Sequence, residues 1–266
     1  MIPLVKLHGL GNDFLVAFGA GGAGLARAAC DRHTGIGADG LIQGGRQANG
    51  DLTFRLWNAD GSEAEMSGNG MRCLAHAALD EGWVTENTPF GALTAAGRRL
   101  VTVRHTAPGH TWATVDMGPV KVGTDSASVC NVGDGAVMVD VGNPHLVVLG
   151  PDPAHVDVGR LGPELERSDP AGLNVEFVTL GPGPDSITMR VWERGVGETQ
   201  ACGTGSCAAA AALHHAGRVG RAVTVHQPGG SVAVELRPDG TATLAGPSIR
   251  IADCSFRGAD PGGDRR

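Results

Sequence analysis

The sequence predicts a mixed α/β (α+β) protein of two pseudo-symmetric domains, each a curved, mainly antiparallel sheet wrapped around a central helix. Two observations support this prediction. The chain carries an internal repeat, and each copy contains a strand-like run followed by a glycine-bearing loop and an alanine-rich helix. Apolar residues make up 41 % of the 266 positions, which is enough for a substantial core. The length allows one large domain or two domains of about 130 residues each.

The repeat emerges when Arg55-Leu56-Trp57 is aligned with Arg190-Val191-Trp192, an offset of 135 in the numbering. An upstream block, Gly11-Asn12, matches Gly142-Asn143 at an offset of 131, so one small length difference reconciles the two blocks. Two matching blocks in the same order favour an internal duplication over chance. The other positions that coincide at the first offset are Glu63 with Glu198, Ser67 with Cys202, Gly68 with Gly203, Gly70 with Gly205, Ala75 with Ala210 and Ala77 with Ala212.

The same elements are predicted in each half. Runs of β-branched and aromatic residues at 53–57 and 187–192 are typical of strands. The alanine- and leucine-rich stretches that follow are typical of helices and end near Gly82 and Gly217. Because both helices carry few charges, we expect them to be buried on most sides. Further short strands are predicted at 100–103, 136–141, 223–225 and 232–236.

We expect the two halves to form two domains that join near 116–119. The N-terminal half then comprises residues 1–117 with 253–266 and carries the Ser67 helix start. The C-terminal half comprises residues 118–252 and carries the Cys202 helix start. The charged, glycine-rich tail 258–266 is expected to fray.

Charge and hydropathy argue against two classes of partner. The net charge is −7 and there is no basic run, which disfavours a nucleic-acid surface. No apolar stretch approaches the ~20 residues that are needed to span a bilayer. We therefore expect a protein that binds neither nucleic acid nor membrane.

The six cysteines predict free thiols in a reducing cytoplasm, because the chain has 266 residues and its N-terminal sequence lacks the pattern of an export signal. None of them forms a C-x-x-C pair. The nearest approach to a metal-ligand cluster is Cys202 and Cys207 with His214 and His215. Thiols packed on a helix are the favoured interpretation there, so no metal is expected. Lysine occurs only twice and never in a motif, which argues against a pyridoxal cofactor. No cofactor is therefore predicted.

Two helix starts could carry acid–base chemistry. Ser67 and Cys202 each precede a first turn, where four amide groups lack intrahelical partners and the macrodipole is positive. The same field should lower the pKa of a thiol, which would make Cys202 a thiolate base near neutral pH. Taken singly, Ser67 could equally be an ordinary helix cap and Cys202 a small buried residue. As a pair, two such groups could serve inversion at a carbon, where one face loses a proton and the other gains one.

Four segments resemble diaminopimelate epimerase, a pyridoxal-independent family that interconverts the LL and meso forms of diaminopimelate for lysine and peptidoglycan precursor synthesis. The segments are His8–Phe14, Asn58–Glu63, Gly142–His145 and Glu193–Gly205. Residues 35–40, Asn174 and Gly229-Gly230 fit in the same order, so the resemblance covers nearly the whole chain.

The resemblance implies a two-domain fold with the active site in the cleft, a small-molecule amino-acid substrate and a possible homodimer. It also implies two cysteines acting as base and acid. Cys202 matches one of them, while His145 and Glu193 match residues that assist the chemistry. The positions that match substrate-binding residues are Asn12, Asn58, Gly68, Asn69, Asn143, Asn174, Glu193, Arg194, Gly203 and Thr204. Gly40 stands where some members place a substrate-contacting glutamine.

The departure from the family pattern is Ser67, which stands where the family has its other cysteine. Cys73 is a poor substitute, because six residues further along a helix place it ~9 Å away and on another face. Ser67 could be a substitution that traps an inactive enzyme, a natural variant that still donates a proton, or the sign of a one-base reaction. Two other functions stay open: a racemase or epimerase of another amino acid, and a non-catalytic amino-acid-binding protein.

Overall fold

The computed structural model describes residues 1–64, 66–123 and 135–258. These residues form a mixed α/β structure in which strands predominate, as predicted. They divide into two compact units. The first comprises Met1–Gly9, Asp13–Ala113 and the described residues from Ser248 onward, and the second comprises Leu10–Asn12 and Thr114–Pro247. Cys130 and the tail that is expected to fray lie outside the described residues, apart from Gly258.

The elements are numbered in chain order. Up to residue 119 they are β1 (Ile2–Gly9), β2 (Asn12–Phe18), α1 (Ala23–Cys30), β3 (Gly40–Arg46), β4 (Leu52–Asn58), β5 (Glu63–Ala64), α2 (Gly68–Asp80), β6 (Phe90–Thr94), β7 (Gly97–Ala107) and β8 (His110–Pro119). The later ones are β9 (Lys121–Val122), β10 (Gly135–Asp140), β11 (Pro144–Leu149), a 3-10 turn (Pro153–His155), α3 (Val158–Glu166), β12 (Asn174–Leu180), β13 (Ser186–Glu193), β14 (Gly197–Thr199), α4 (Gly203–His215), β15 (Ala222–Gln227), β16 (Gly230–Leu236) and β17 (Thr241–Phe256). Every predicted strand and both predicted helices are present.

In the first unit, strands surround the helix α2. Strand β3 pairs parallel with β2 and antiparallel with β4, which in turn pairs antiparallel with β5 and parallel with β6. Helix α2 packs against β1, β3, β4 and β7, and every residue from Gly68 to Leu79 is buried. The small alanines allow the strands to approach the helix from several sides. The shorter helix α1 packs against β3 and β4.

The second unit repeats this order around α4. Strand β12 pairs parallel with β11 and antiparallel with β13, which pairs antiparallel with β14 and parallel with β15. Helix α4 packs against strands β9 to β13, β15 and β16, and α3 packs against β12 to β14. All residues from Gly203 to Leu213 except Thr204 are buried.

The duplication also holds in atomic detail. Helices α2 and α4 have the same length of 13 residues, and their first residues, Gly68 and Gly203, are partners in the repeat. Both end at a glycine in the left-handed region, Gly82 at φ 68° and Gly217 at φ 67°, a common helix terminator. An ion pair outside the helices repeats as well: Arg55 contacts Glu63 at 2.9 Å, and Arg190 contacts Glu198 at 2.7 Å.

Candidate active site

Cys202 caps the N-terminus of α4, with extended backbone angles of φ −124° and ψ 121°. Its Sγ accepts a hydrogen bond from the Gly205 N–H at 3.4 Å and lies 3.5 Å from Thr204 Oγ1. Its own backbone is held on both sides: the N–H donates to Gln227 Oε1 at 2.8 Å, and the carbonyl accepts from Ser206 Oγ at 2.7 Å. Gln227 Nε2 also donates to Ser206 Oγ at 3.0 Å, so the sulfur is carried on a closed hydrogen-bond network.

Glu193 is the last residue of β13, just before the turn that leads through β14 to Cys202. The Thr199 hydroxyl donates a hydrogen bond to Glu193 Oε1, and the Cys202 thiol is a second hydrogen-bond partner of the carboxyl group. Burial raises the pKa of Glu193, while these two hydrogen bonds oppose the rise. A carboxyl group with a raised pKa in contact with a thiol is suited to exchange a proton with it.

The expected lowering of the Cys202 pKa is wrong for the protein without substrate. Burial and the nearby carboxylates of Glu193 and Glu176 raise the pKa of Cys202 well above its ordinary value. The contacts with Thr204 and with the Gly205 N–H act in the opposite direction and are outweighed. Cys202 is therefore a thiol at neutral pH and must lose its proton before it can act as a base.

His145 joins two other polar residues of the second unit. Its Nδ1 lies 2.7 Å from Glu176 Oε1, and its Nε2 lies 3.1 Å from Asn143 Oδ1. Both His145 and Glu176 are completely buried. The imidazole of His145 lowers the pKa of Glu193, and Glu176 raises it, so the group lies within electrostatic reach of the Cys202 pair.

Asn174 links two of the segments that carry the family resemblance. Its Nδ2 donates to the Pro144 carbonyl at 3.2 Å, and its Oδ1 accepts from the Arg194 N–H at 3.1 Å. The Arg194 guanidinium donates to the Ala171 carbonyl at 3.2 Å and is otherwise exposed. The Asn174 amide thus fixes the backbone on both sides of the site.

The segment that contains Asn12 lies in the second unit, next to the loop that precedes Cys202. The Gly229 N–H donates to the Gln200 carbonyl at 2.9 Å. A Cβ added at Gly229 would lie 1.9 Å from the Leu10 carbonyl oxygen, so only glycine fits. This close packing holds the segment around Leu10 against Gln200 and Gly229, although these residues lie in opposite halves of the sequence.

In the first unit, Ser67 occupies the capping position of α2. Its backbone angles are φ −140° and ψ 123°, and its Oγ accepts from the Gly70 N–H at 3.1 Å. Asn69 is buried, and its Oδ1 accepts from Arg72 Nη2 at 2.9 Å. Arg72 is completely buried, so a positive charge lies within this helix start.

Asn58 and Cys73 complete the first-unit candidates. Asn58 Nδ2 donates to Ser62 Oγ at 3.0 Å, at the end of β4. Cys73 is completely buried, its sulfur accepts from Ser248 Oγ at 3.7 Å, and burial raises its pKa to about 12. This surrounding agrees with the expectation that Cys73 does not replace the missing cysteine.

The comparisons with known proteins agree with the motifs. The family model described as diaminopimelate epimerase matches residues 4–123 and 137–251. The chain belongs to the diaminopimelate epimerase family. Diaminopimelate epimerase of Desulfitobacterium hafniense is 39 % identical over 94 % of this chain and 96 % of its own length. The corresponding enzyme of Corynebacterium aurimucosum is 42 % identical over 94 % and 98 %. This epimerase-family chain is therefore an enzyme of the isomerase class. A small-molecule substrate is consistent with this family.

Solved structures show the same fold at low identity. A phenazine biosynthesis protein of the PhzF family from Bacillus anthracis matches with a TM-score of 0.76 at 16 % identity, covering 95 % of this chain and 98 % of that one. A hydroxyproline epimerase from Agrobacterium vitis matches with a TM-score of 0.69 at 20 % identity, covering 95 % and 91 %. The fold class predicted for this epimerase-family chain is confirmed. No helix among its described residues is long and apolar enough to cross a membrane.

A cavity of about 260 Å³ lies in the second unit, at the far end of α4 from Cys202. His214, His215, Arg221 and Arg237 contribute to its lining, and none of the predicted site residues does. The Cys202 thiol and its hydrogen-bond partners lie at the opposite, N-terminal end of the helix. We therefore place the candidate site of this epimerase-family chain at the N-terminal end of α4.

The structure gathers most of the predicted residues at the two helix starts. In the second unit Cys202, Gly203 and Thr204 lie at the start of α4 with Glu193 and His145 within electrostatic reach, and in the first unit Ser67, Gly68 and Asn69 lie at the start of α2. The residues that sequence analysis missed are Glu176, Thr199, Ser206, Gln227 and Ser62. For Glu176 a signal was available, because a single carboxylate stands between Val175 and Phe177 in an apolar strand.

Proposed function

We propose that this chain interconverts LL- and meso-2,6-diaminopimelate by moving the Cα proton, with Cys202 as the competent base and Ser67 as the second acid–base group. The observation that carries the proposal is the contact of the Cys202 thiol with the Glu193 carboxyl group at the start of α4. Family membership supports the substrate, since the relatives at about 40 % identity are named diaminopimelate epimerase. We also propose a cytoplasmic enzyme that needs no cofactor and forms a homodimer.

In the first step Glu193 accepts the Cys202 proton, and the resulting thiolate removes the Cα proton of the substrate. The Cα–H bond breaks, an S–H bond forms, and the electron pair stays on Cα and spreads into the substrate carboxylate. Amide groups at a helix start stabilise such a charge, since no acceptor precedes them in the helix. Gly203 and Thr204 occupy those positions in α4, and Gly68 and Asn69 occupy them in α2.

The other polar candidates are assigned to substrate binding. We propose that the amides of Asn12, Asn58 and Asn143 and the guanidinium of Arg194 recognise the amino and carboxylate groups of diaminopimelate. Asn174 supports this arrangement by holding the Pro144 carbonyl and the Arg194 N–H. The side chains of Asn12, Asn58 and Asn143 are half-buried, and an amide offers both donors and acceptors to a zwitterionic ligand.

In the second step the Ser67 O–H bond breaks and a new Cα–H bond forms, after which solvent returns a proton to the serine oxygen and takes one from Glu193. A serine hydroxyl is a far weaker acid than a thiol, so proton delivery from Ser67 is slow. The rates of proton transfer on the two faces of Cα are therefore unequal. One stereoisomer, whose Cα–H meets Cys202, should exchange its proton readily, and inversion should lag behind exchange.

The first prediction concerns Ser67→Cys, tested by solvent-deuterium exchange and inversion at Cα for each diaminopimelate stereoisomer. We expect the rate of inversion to rise about a hundredfold or more, because a thiol is a better proton donor. Exchange of the favoured stereoisomer should change much less. Cys202→Ser should abolish exchange of that stereoisomer, and Cys73→Ser, in the same helix as residue 67, should leave both rates unchanged.

Two results would contradict the proposal. An inversion rate that is unaffected by Ser67→Cys would show that residue 67 is not the second group. Tight binding of diaminopimelate with no Cα exchange, even by Ser67→Cys, would instead support a non-catalytic binding protein.

A racemase or epimerase of another amino acid is the second candidate, and Gly40 favours it. This residue replaces the glutamine with which some family members contact substrate. A Cβ at Gly40 would lie 2.8 Å from the Trp57 carbonyl oxygen, so the backbone at this position leaves no room for a side chain. Exchange measured over a panel that includes histidine and hydroxyproline would separate the two candidates.

A further inference from the structure

Glu176 is a completely buried carboxylate for which the proposed mechanism has no role. It lies in β12 between two buried apolar residues, Val175 and Phe177. Its Oε1 is 2.7 Å from Nδ1 of the equally buried His145, and its Oε2 has no hydrogen-bond partner among the described residues. A buried carboxylate is costly unless it is paired, so the fold keeps Glu176 at an energetic cost.

The first unit shows what the fold itself requires at this position. In β12 Glu176 is opposite Val191 of β13, and in β3 Ile42 is opposite Leu56 of β4. Val191 and Leu56 are partners in the repeat, since each is the middle residue of its aligned Arg-x-Trp run. Glu176 therefore occupies the position of Ile42.

The partner of Glu176 has an apolar counterpart as well. In the parallel pairing of β11 with β12, His145 is opposite Asn174, and in that of β2 with β3, Phe14 is opposite Gly40. His145 therefore takes the position of Phe14. An apolar pair satisfies the fold in one unit, so the buried polar pair of the other unit has a purpose besides folding.

The surroundings of Glu176 connect it to the helix start that bears Cys202. A Cβ added at Gly205 would lie 2.6 Å from Glu176 Oε1, whereas a Cβ added at Gly70 would meet Ile42 Cδ1 at 3.2 Å. The carboxylate thus lies against the first turn of α4, whose positive macrodipole stabilises an anion.

The pairing also decides which nitrogen of His145 is available. A carboxylate only accepts hydrogen bonds, so the proton of the 2.7 Å contact belongs to His145 Nδ1. Nε2 lies 3.1 Å from Asn143 Oδ1, which only accepts, so with the proton on Nδ1 this contact is a hydrogen bond only when the Asn143 amide turns its NH2 toward the ring or when Nε2 takes up a proton. In neutral imidazole one nitrogen carries the proton and the other accepts, so holding Nδ1–H makes Nε2 the nitrogen that receives a proton.

We propose that Glu176 is a positioning residue that holds His145 in the Nδ1–H tautomer, with Nε2 directed to the site for proton transfer near Cys202 and Glu193. The effect on turnover rests on the proposed function. The effect on the tautomer is a property of the protein alone and is tested without substrate.

The test without substrate is NMR of protein labelled with ¹⁵N in the histidine rings, at a pH where the rings are neutral. We expect the His145 signals, assigned by their loss in His145→Asn, to show the Nδ1–H tautomer. Glu176→Gln should retain it, because the amide oxygen still accepts from Nδ1. Glu176→Ile, which copies the first unit, should shift His145 toward the Nε2–H tautomer, while the signals of His76 in the other unit stay in place. An unchanged tautomer in folded Glu176→Ile would overturn the proposal.

The test with substrate is Cα deuterium exchange in the same variants. Glu176→Ile should lower kcat for exchange by about tenfold or more, with KM changed less than about twofold, because the wrong tautomer of His145 impairs proton transfer in the chemical step. Glu176→Gln should retain most of kcat and shift its pH profile. A changed tautomer with unchanged kcat would overturn the role in proton transfer. If no variant exchanges the substrate, Ser67→Cys included, the proposed function fails while the tautomer experiment still decides the role of Glu176.

Discussion

At the scale of single residues, Cys202 shows how burial can outweigh a helix start. The macrodipole favours a thiolate by a modest amount, whereas complete desolvation and two nearby carboxylates disfavour it more strongly. Glu193 lies beside the thiol, and its own raised pKa narrows the difference in acidity that a proton transfer between the two groups must overcome.

This view predicts the reactivity of Cys202 in the protein without substrate. Alkylation by iodoacetamide, followed by mass spectrometry, should proceed slowly near neutral pH and accelerate only above the ordinary thiol pKa. Glu193→Gln removes a negative charge and should lower the pKa of Cys202, so that alkylation at a given pH becomes faster. Glu164→Gln, at an exposed carboxylate of the same unit, should have no effect. Faster reaction of the unaltered protein than of Glu193→Gln would refute the assignment.

At the scale of elements, the two central helices offer a natural comparison. Both begin with a capping side chain that accepts from the third amide, and both have glycine there, Gly70 in α2 and Gly205 in α4. The side chain nearest to that glycine differs between the units. Gly70 faces the flexible end of Ile42, whereas Gly205 faces the Glu176 carboxylate, which His145 holds in place. The same helix start therefore tolerates different substitutions.

We expect Gly205→Ala to lower the free energy of unfolding by about 1–3 kcal/mol, because the added methyl group displaces the Glu176 carboxylate. Gly70→Ala should be close to neutral, since the gain in helix propensity of roughly 1 kcal/mol offsets a slight contact with Ile42. In a Glu176→Ile background the effect of Gly205→Ala should fall to that of Gly70→Ala. Urea unfolding of the four variants measures this coupling. Equal losses for the two single alanine variants would refute the explanation.

At the scale of the whole molecule, the repeat made the fold predictable. The alignment of its two copies located two strands, two helices and two caps at once, and local turn signals supplied the remaining strands. The helix-start residues and the asparagines followed from motifs. The lone carboxylate in an apolar strand marks Glu176, but its pairing with His145 could not be found in this way, because the two residues lie on different strands. The pKa of Cys202 also depends on burial, which a helix start in the sequence does not reveal.

The pH dependence of stability is governed in part by His76, a completely buried residue of α2. Burial lowers its pKa from 6.5 to about 4. The neighbouring charges act both ways, because Asp80 raises the pKa whereas His105, Arg250 and His110 lower it. The unfolded chain therefore binds a proton at this position between pH 4 and 6.5, while the folded protein does not.

It follows that the contribution of His76 to the free energy of unfolding is fully present above about pH 6.5. This contribution, roughly 2–3 kcal/mol, is lost as the pH falls toward 4. His76→Gln keeps a polar group near Ser248 but does not titrate, so its free energy of unfolding should depend less on pH across this window. His105→Gln is the matched control. The carboxylates around His105 raise its pKa, so it contributes stability at low pH, and its partial exposure keeps that contribution small. The measurement is urea unfolding at a series of pH values. The assignment would be contradicted if the free energy of unfolding of His76→Gln fell with decreasing pH as steeply as that of the unaltered protein.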